Sequence, residues 1–583
     1  MTDSQLPHEL RFKRGTNILN YIRQFSATEK VVFGIFVIAA LVTMLIMAFK
    51  VNNRFIVQVP AYGGQLNEGV IGLPRSINPI LAISDVDRDI SALVYSGLTR
   101  YDNGTIVGDL AASYSISNDG LVYTFKLKPG LAFHDGEPLT TEDIAFTIQK
   151  IQDPALKSPR RIDWTDVTVR VISPTEIQFV LKQPYSPFLA NTTIGIVPKH
   201  IWGSVGDDQF IFSQYNIEPV GSGPYRLSSI SRDSGGIPTQ YKLNSSRAYY
   251  GKSPYIPTIV FDFFPDEASA LSALDKGSID SVSGLSPEGA RTIAADSAQA
   301  YTVLSTPLPR TFGVFLNQDQ SPILADKVVR QALDMAIDRR ALISSVLKGY
   351  GEPLYGPAQF ITSSSTPPTP KVGSTTIQMA QSFLDKNGWK NIGGIYSKKS
   401  AKTGTTTIAF DIYTVDSPDL KQTAELVRDT WNALGAHVNI KVYEGTDFYQ
   451  NVIRTRKYDA LLFGEVIGKD RDLYAFWHSS QRKSPGLNVA MYANSKADKL
   501  LEDIRTTSND EARATKYLQF DQLIRSDIPA LFLYTPDFIY AVPRSLRTID
   551  LRNLTVPADR WSDVTQWYTE TENVWKLPIF TNK

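Results

Sequence analysis

The longest uninterrupted apolar stretch of the chain lies near its start, at residues 31–49. This stretch, VVFGIFVIAALVTMLIMAF, has no charged residue, and at about 1.5 Å per residue it covers roughly 28 Å of a hydrocarbon core near 30 Å. It runs on into Phe49-Lys50-Val51 without the small residues of a signal-peptide cleavage site. The pattern predicts an uncleaved membrane-spanning helix at 31–49. A buried helix of a globular core is disfavoured because nothing polar interrupts the run.

The charges that flank this stretch predict its orientation. Only Lys50 and Arg54 follow it closely, whereas five basic residues precede it: Arg11, Lys13, Arg14, Arg23 and Lys30. Basic residues remain preferentially on the cytoplasmic side. We therefore expect a cytoplasmic segment at 1–30, a tether at 50–62, and the rest of the chain outside the cell membrane, in the periplasm or at the cell surface.

Alternating apolar positions predict a mixed first half with hairpins. Residues 113–127 are interpreted as a hairpin, in which Asn118-Asp119-Gly120 forms the turn and Tyr123, Phe125 and Leu127 share one face of the second strand. Thr140 and Asp143 then have the spacing of a capping box, with Asp in place of the usual Glu, which predicts a helix start.

The second half has the pattern of alternating strands and helices. Residues 325–348 predict two consecutive helices, the second of them capped by Asp338. Apolar alternation at 408–412 and 438–442 flanks a helical stretch that ends at Gly435, which predicts a βαβ unit. The continuous apolar run at 458–463 is typical of an interior parallel strand.

Length and composition exclude several classes of protein. A chain of 583 residues is too long for one ordinary core, so at least two lobes are expected outside the membrane segment. The net charge of +1 supplies no overall field for nucleic acid, which is therefore not an expected partner. The absence of cysteine excludes disulfides, thiolate chemistry, cysteine-ligated zinc and a lipid-bearing cysteine anchor. The five histidines lack metal-site spacing, so neither a metal nor another cofactor is expected.

One enzymatic alternative has some motif support. Ser345 and Lys348 fit S-x-x-K, and Lys402-Thr403-Gly404 fits K-T-G, which is typical of penicillin-binding serine acyl-transfer enzymes. No S-x-N lies between the two motifs. Ser345 also falls in the last turn of its predicted helix, where the helix dipole opposes the negative charge of an activated nucleophile. The enzymatic hypothesis is therefore disfavoured.

Six segments of the chain form a recognisable set of motifs. The most characteristic is SNDGLVYTFKLKPGLAFHDGEPLTTEDIAFT (117–147). The others are GSGPY (221–225), VRQALDMAIDRRALI (329–343), AQSFLDKNGW (380–389), YDALLFG (458–464) and DIPALFLY (527–534). In these segments and in their order, the chain resembles a known family, the peptide-binding, family-5 solute receptors of ABC importers.

This resemblance implies an α/β, two-lobed, periplasmic-binding-protein-like fold of the enlarged peptide-binding class, behind one N-terminal transmembrane helix. Lobe one, with its extra subdomain, would span 63–304 and take back the chain at 531–583, and lobe two would span 305–530. The implied function is hinged enclosure of a peptide or peptide-like solute by a monomer and its delivery to the permease subunits of an ABC transporter, without chemistry. A transporter-independent envelope receptor or scaffold remains an open alternative.

The best candidate for the binding site is the segment 464–481. It follows the strand predicted at 458–463, and ligands of open α/β sheets collect beyond the carboxyl ends of parallel strands. The segment offers acids for an amino group and aromatic surfaces: Glu465, Asp470, Asp472, Tyr474, Phe476 and Trp477. The competing interpretation is a solvated acidic loop with Phe476 and Trp477 in the core.

The resemblance adds a specific role to one of these acids. In the family the corresponding loop reads Gly-Trp-x-x-Asp, and its Asp holds the α-ammonium group of the peptide. Here Glu465 replaces the Trp, and the first Asp after Gly464 is Asp470, six positions later rather than four. The resemblance therefore implies that Asp470 holds the ammonium group.

Four further residues are weaker candidates. Arg310 lies near the expected first crossing between the lobes and can meet a ligand carboxylate, while Asn78, Tyr95 and Tyr225 lie in loops that can border the cleft. A surface arginine and structural roles are the alternatives. His134, in the Phe-His-Asp-Gly turn, is interpreted as a determinant of the fold rather than as an active-site residue.

Overall fold

The computed structural model describes residues 25–102, 104–296, 300–359, 376–400, 404–468 and 471–575. The chain forms two compact units. The first comprises Met1–Ala61 together with Glu570–Lys583, and the second comprises Tyr62–Thr569.

The first unit is built on one long helix, α1 (Ala27–Phe55). Ser26 caps the helix, accepting a hydrogen bond from the Glu29 amide while the Glu29 carboxylate accepts from the Ser26 amide. By length and composition, Ala27–Asn52 is able to cross a membrane, and its apolar side chains are exposed. The helix contains the span predicted at 31–49 and is longer than it at both ends. Within the expected tether it is followed by β1 (Ile56–Pro60), which pairs antiparallel with β23 (Thr571–Trp575).

The second unit contains the remaining strands of the described chain. They are β2 (Gln65–Ile71), β3 (Thr99–Asp102), β4 (Thr105–Gly108), β5 (Ala111–Ile116), β6 (Val122–Leu127), β7 (Val167–Ser173), β8 (Glu176–Leu181), β9 (Tyr225–Arg232), β10 (Pro238–Ser245), β11 (Thr258–Phe264), β12 (Ser281–Ser283), β13 (Tyr301–Pro307), β14 (Arg310–Leu316), β15 (Gly351–Pro353), β16 (Lys390–Ile392), β17 (Ile395–Ser400), β18 (Gly404–Thr407), β19 (Ala409–Val415), β20 (His437–Tyr443), β21 (Ala460–Val466) and β22 (Ala530–Pro543).

The helices of the second unit are mostly short in its first part and longer later. They are α2 (Asp85–Val94), α3 (Thr141–Gln152), α4 (Phe188–Asn191), α5 (Lys199–Trp202), α6 (Asp207–Phe210), α7 (Glu267–Asp275), α8 (Pro287–Asp296), α9 (Pro322–Ala325), α10 (Lys327–Ala336), α11 (Arg339–Val346), α12 (Thr376–Lys386), α13 (Pro418–Leu434), α14 (Gly445–Asp447), α15 (Tyr474–Trp477), α16 (Ser495–Thr506) and α17 (Asp510–Asp527). The 3₁₀ or π helices are Pro154–Leu156, Arg161–Trp164, Gln214–Asn216, Phe448–Ile453, Ser479–Gln481 and the ten-residue Pro557–Gln566.

One long strand, β22, connects the two halves of the main sheet. Among the described residues this mixed sheet has 12 strands, ordered β20-β19-β21-β14-β22-β12-β2-β11-β10-β9, with β13 and β15 also paired to β22. The first part of β22 pairs with β14 and its second part with β13. The chain thus passes between the halves at Leu308–Pro309 and again in the middle of β22.

The hydrophobic clusters follow the same division. Leu531 and Leu533, in the first part of β22, pack into clusters formed by residues after 313. Phe538 and Tyr540, in its second part, pack against residues of the first half of the chain and against 546–567. Each half of the sheet therefore has its own core, and β22 contributes to both.

Most of the predicted elements are confirmed. Strands β5 and β6 form the hairpin with Gly120 at a positive φ of 70° in its turn, and Thr140 and Asp143 form the capping box of α3. Asp338 caps α11 through the amides of Arg340 and Ala341. Strands β19 and β20 run parallel around α13, as the βαβ pattern predicted.

One expectation differs from the structure. The strand predicted at 458–463 is interior, but it is parallel only to β19 and runs antiparallel to β14 on its other side. A continuous apolar run indicates that both faces of the strand are buried. An interior strand of a mixed sheet is buried on both faces as well, so the run does not determine the direction of its neighbours. Glu570–Lys583 is grouped with α1 in the first unit, where β23 pairs with β1.

Candidate ligand-binding site

A cavity of about 210 Å³ in the second unit brings together segments that are distant in sequence. It is bordered by α2 and the turn before it, by residues 160–164, by residues 190–195 and by residues 556–559. Gly468, just beyond the end of β21, also lines it. A second cavity of about 130 Å³ shares five lining residues with the first: Ala92, Tyr95, Thr193, Ala558 and Asp559.

Tyr95 lines both cavities and is the one predicted site residue, among those that the structure describes, that does so. It follows the last residue of α2 and is only 5% exposed. Its hydroxyl has no hydrogen-bond partner among the described residues, and burial raises its pKa. A buried hydroxyl without a partner is costly, so this group is available to a polar ligand.

Two glycines allow the chain to pack closely on Tyr95. A Cβ added at Gly195 would lie 2.6 Å from the Tyr95 Cβ, and one added at Gly221 would lie 2.9 Å from the Tyr95 Cδ1. Gly221 opens the GSGPY segment. The first glycine of this motif therefore helps to place Tyr95 at the cavity.

The cavity also contains charged side chains that the sequence patterns did not single out. Arg88 lies 3.3 Å from the Asp85 carboxylate, and Arg160 lies 3.6 Å from that of Asp163. Asp559 lines both cavities and accepts hydrogen bonds from main-chain amides of the turn before it. Charges of both signs therefore face the same space, which suits a zwitterionic ligand.

A buried ionic cluster holds two of the bordering segments together. Both terminal nitrogens of Arg560 donate to the Asp89 carboxylate at 2.7 Å, and one also donates to Glu68 at 3.1 Å. Tyr540 donates to the second oxygen of Glu68 at 2.7 Å. Burial raises the pKa of Asp89 to about 6, although the Arg560 charge acts against this shift. The cluster joins α2 to the 3₁₀ helix Pro557–Gln566, which contains both Asp559 and Arg560.

The predicted segment 464–481 reaches the cavity through Gly468. Asp470 lies outside the described residues. Glu465 is on β21, is buried, and is not among the described residues that line either cavity; it faces Thr311 across the strand pair. Neither Glu465 Oε1 nor Thr311 Oγ1 has a partner among the described residues, and burial raises the pKa of Glu465 well above its usual range.

Asp472, Tyr474 and Trp477 are held by contacts within the protein. The Asp472 carboxylate forms an ion pair with Arg505 at 2.6 Å. The Arg505 guanidinium lies 3.7 Å from the centre of the Tyr474 ring. Trp477 is fully buried in the core, near Phe532. Trp477 therefore has the core position that the competing interpretation gave it. Asp472, by contrast, is a buried ion-pair partner and not a solvated acid.

The remaining candidates occupy varied positions. Asn78 is fully buried and its Oδ1 accepts from the Ile80 amide at 3.0 Å, so it shapes the turn that carries the cavity residue Pro79. The buried Tyr225 donates to the Ile256 carbonyl at 2.8 Å, a contact expected of a core residue. Arg310 begins β14 opposite Val466, and its Nε has no partner among the described residues.

His134 has the structural role predicted for it. Its Nδ1 accepts from the Gly221 amide at 3.3 Å, and its Nε2 lies 3.0 Å from the Gly223 carbonyl. These contacts fit a neutral ring with its proton on Nε2, and burial lowers its pKa to about 4. The Phe-His-Asp-Gly turn and the GSGPY segment are therefore joined through this ring.

The Ser345–Lys348 pair of the enzymatic alternative lacks the geometry of an activated nucleophile. Ser345 lies in the last turn of α11, as predicted, and is exposed. Lys348 Nζ donates to the Ser345 main-chain carbonyl at 2.8 Å. Lys402 and Thr403 lie outside the described residues. The observed lysine contact does not activate the hydroxyl as a nucleophile.

Comparisons with known proteins agree with the fold and the motifs. Residues 105–485 match the family model for bacterial extracellular solute-binding proteins, family 5 (middle region). The oligopeptide-binding protein AppA of Bacillus subtilis is 29% identical over 506 residues, which are 84% of this chain and 89% of AppA.

Solved structures give the same result. AppA in complex with a nonapeptide aligns with a TM-score of 0.64 at 27% identity, over 88% of this chain and 99% of that structure. The ABC transporter substrate-binding protein CtaP of Listeria monocytogenes aligns with a TM-score of 0.72 at 26% identity, over 87% of this chain and all of that structure. The predicted two-lobed fold of this class is thereby confirmed.

Proposed function

Because the chain belongs to family 5 of the bacterial extracellular solute-binding proteins, we propose that it is a membrane-anchored receptor that binds peptides between two lobes and delivers them unchanged to an ABC transporter. The similarity to AppA, an oligopeptide-binding protein with a nonapeptide-bound structure, supports a peptide ligand.

The proposed lobes follow the two halves of the main sheet. Lobe one comprises 63–304 and the return of the chain at 531–583, and lobe two comprises 305–530. Supporting this division, the chain passes between the halves at Leu308 and again near Thr535, within about five residues of the proposed bounds. The Thr535 Oγ1 donates to the Leu308 carbonyl at 2.7 Å and so joins the two crossings. Two adjacent crossings are suited to a hinge.

The observation that carries the proposed function is the convergence of Tyr95 and Asp559 of lobe one with Gly468 of lobe two on one cavity. A space bordered by both lobes is where a hinged receptor encloses its ligand. We propose that Asp470, two residues beyond Gly468, holds the peptide ammonium group. Arg88, Arg160 or the more distant Arg310 then meets the carboxylate.

Isothermal titration of the full-length protein in detergent tests peptide binding directly. Alanine peptides of two to five residues are titrated, with free alanine and maltose as comparison ligands. We expect saturable binding of at least one peptide, and Tyr95→Phe should weaken it because the ligand loses one hydrogen-bond donor. Folded protein that binds none of these peptides, or binds maltose instead, would contradict the proposed ligand class.

Anchoring and delivery require separate experiments. In cells that express the protein, we expect it to resist carbonate extraction. Protease added outside the cell should digest the chain beyond residue 49 and leave residues 1–49 protected. For delivery, ATP-dependent uptake of a labelled peptide should be lost in cells that lack the gene and restored by the intact gene. Uptake that is unchanged by the deletion would favour a receptor that works without a transporter.

A further inference from the structure

The exposure of Trp575 sets it apart from the other tryptophans of the chain. The sequence has 8 tryptophans, all within the described residues. Seven are at most 2% exposed: Trp164, Trp202, Trp389, Trp431, Trp477, Trp561 and Trp567. Trp575 is 53% exposed. Its large apolar ring therefore lacks a covering surface among the described residues of its own unit.

Contacts to α1 fix the position of this ring. Trp575 ends β23, opposite Ile56 at the start of β1. Its ring stacks on Phe55 with centroids 6.3 Å apart. Its indole N–H donates to the Asn52 side-chain oxygen at 2.9 Å. The tryptophan is thus attached to the last turn of the helix that is able to cross a membrane.

The level of this attachment corresponds to the membrane interface. Asn52 is three residues beyond Phe49, the end of the uncharged run, and therefore about 4.5 Å farther along the helix axis. The headgroup region adds roughly 5–7 Å to each side of the hydrocarbon core. Tryptophan is enriched in this region because its ring is apolar and its N–H is polar.

We propose that Trp575 inserts into the headgroup region of the outer leaflet, so that strand β23 binds the membrane surface beside α1. This inference rests on the proposed membrane anchoring. A ribbon of two strands is marginally stable in water by itself, and contact with lipid supplies additional apolar burial for β1 and β23. Two chain segments, rather than one, then connect the receptor to the bilayer.

Fluorescence quenching by lipid tests the depth of Trp575. Full-length protein and Trp575→Phe are reconstituted into phosphatidylcholine vesicles, with or without lipids brominated at shallow acyl carbons. Because the other tryptophans are buried in the protein, we expect shallow bromine to quench a component of the emission that is missing from Trp575→Phe. Trp389→Phe removes a buried tryptophan and should retain the quenched component.

Flotation of the same vesicles separates this inference from the anchoring on which it rests. Protein that floats after a carbonate wash, while bromine quenches the wild type and Trp575→Phe to the same extent, would overturn the inference and leave the anchoring intact. Protein that fails to float would overturn both. The phenylalanine retains an aromatic ring against Phe55, so the ribbon should persist in the variant.

Discussion

Tyr185 donates a hydrogen bond to the Asp472 carboxylate across 3.4 Å, although the two residues are 287 positions apart in the chain. The next residue, Ser186, strengthens this connection: its amide donates to the Arg505 carbonyl at 2.7 Å, and its hydroxyl accepts from Arg513. With the proposed lobes, Tyr185 and Ser186 belong to lobe one and their partners to lobe two. On that proposed division, these contacts form a latch between the lobes, called the interlobe latch below.

Weakening this latch should shift the receptor toward its open state. Tyr185→Ala removes a hydrogen bond to a charged group and the ring that lies near the Arg505 guanidinium, with centres 5.8 Å apart. We expect a loss of about 1–2 kcal/mol of closed-state stability. Titration should then show weaker binding of every peptide, by at most about 5- to 30-fold, because the competent closed state is less populated.

A nearby surface residue provides the control for the latch. Lys182 is exposed and lies 3.8 Å from the exposed carboxylate of Asp166, so Lys182→Ala should leave peptide affinity unchanged. Small-angle scattering of the unliganded variants should show a larger radius of gyration for Tyr185→Ala alone. An unchanged affinity and radius for Tyr185→Ala would show that the latch does not govern closure.

Local elements were predictable because their signals are local. The hairpin at 113–127 combines a turn sequence with alternating apolar residues, and α13 has Pro418 at its start and Gly435 at its end. The direction of a neighbouring strand has no such signal. The run at 458–463 predicted burial correctly but did not reveal that β14 would lie antiparallel beside β21.

The binding site was less predictable because its residues are assembled by tertiary packing. Arg88 has an acid three residues before it, as on any solvated helix surface, and only the packing of α2 places it at the cavity. The sequence around Asp472 is also compatible with a solvated loop acid, because its partner Arg505 is 33 residues away in the chain. Tyr95 was predicted from its loop position, whereas the glycines that place it act through space.

The stability of the protein should depend on pH through His134. Its pKa is lowered to about 4 by burial, whereas an unfolded histidine titrates near 6.5. Between these values the unfolded chain binds a proton and the folded chain does not. The neutral His134 therefore makes its full contribution to the free energy of unfolding above about pH 6.5. This contribution, about 3 kcal/mol in total, is lost as the pH falls toward 4.

His134→Asn isolates this contribution. Asn keeps an acceptor for the Gly221 amide but cannot take up a proton. Its unfolding midpoint should be lower than that of the wild type at pH 7.5, and the difference should shrink by pH 5. Thermal unfolding followed by tryptophan fluorescence at both pH values measures this. His437→Asn, at an exposed position, should retain the wild-type pH dependence, and parallel curves for His134→Asn would contradict the assignment.

Removal of the Arg560 charge should destabilise lobe one strongly. Arg560→Leu leaves the buried carboxylates of Glu68 and Asp89 without their cation, and breaking such a buried pair costs about 3–5 kcal/mol. The loss should be smaller at pH 5 than at pH 8, because burial raises the pKa of Asp89, which without the Arg560 charge becomes neutral in the folded variant before it does so in the unfolded chain.

A compensating variant keeps this prediction testable if Arg560→Leu does not fold. Combining it with Glu68→Gln and Asp89→Leu removes every charge from the cluster, so most of the lost stability should return. The midpoint of thermal unfolding at pH 8 measures the effect for both proteins. A triple variant as unstable as Arg560→Leu alone would show that shape, rather than uncompensated charge, determines the cost.

Substitutions of the two neighbouring acids should weaken peptide binding in different ways. If Asp470 holds the peptide ammonium group, Asp470→Asn should weaken a free peptide by about tenfold or more and leave its N-acetylated form unchanged, because only the free form carries that charge. Asp472 acts on Arg505 and the latch, so Asp472→Asn should weaken both forms equally. Titration of both peptides into both variants distinguishes these roles. Equal weakening of the two peptides by Asp470→Asn would assign the ammonium site to another acid, with Asp559 of the cavity as the next to be substituted.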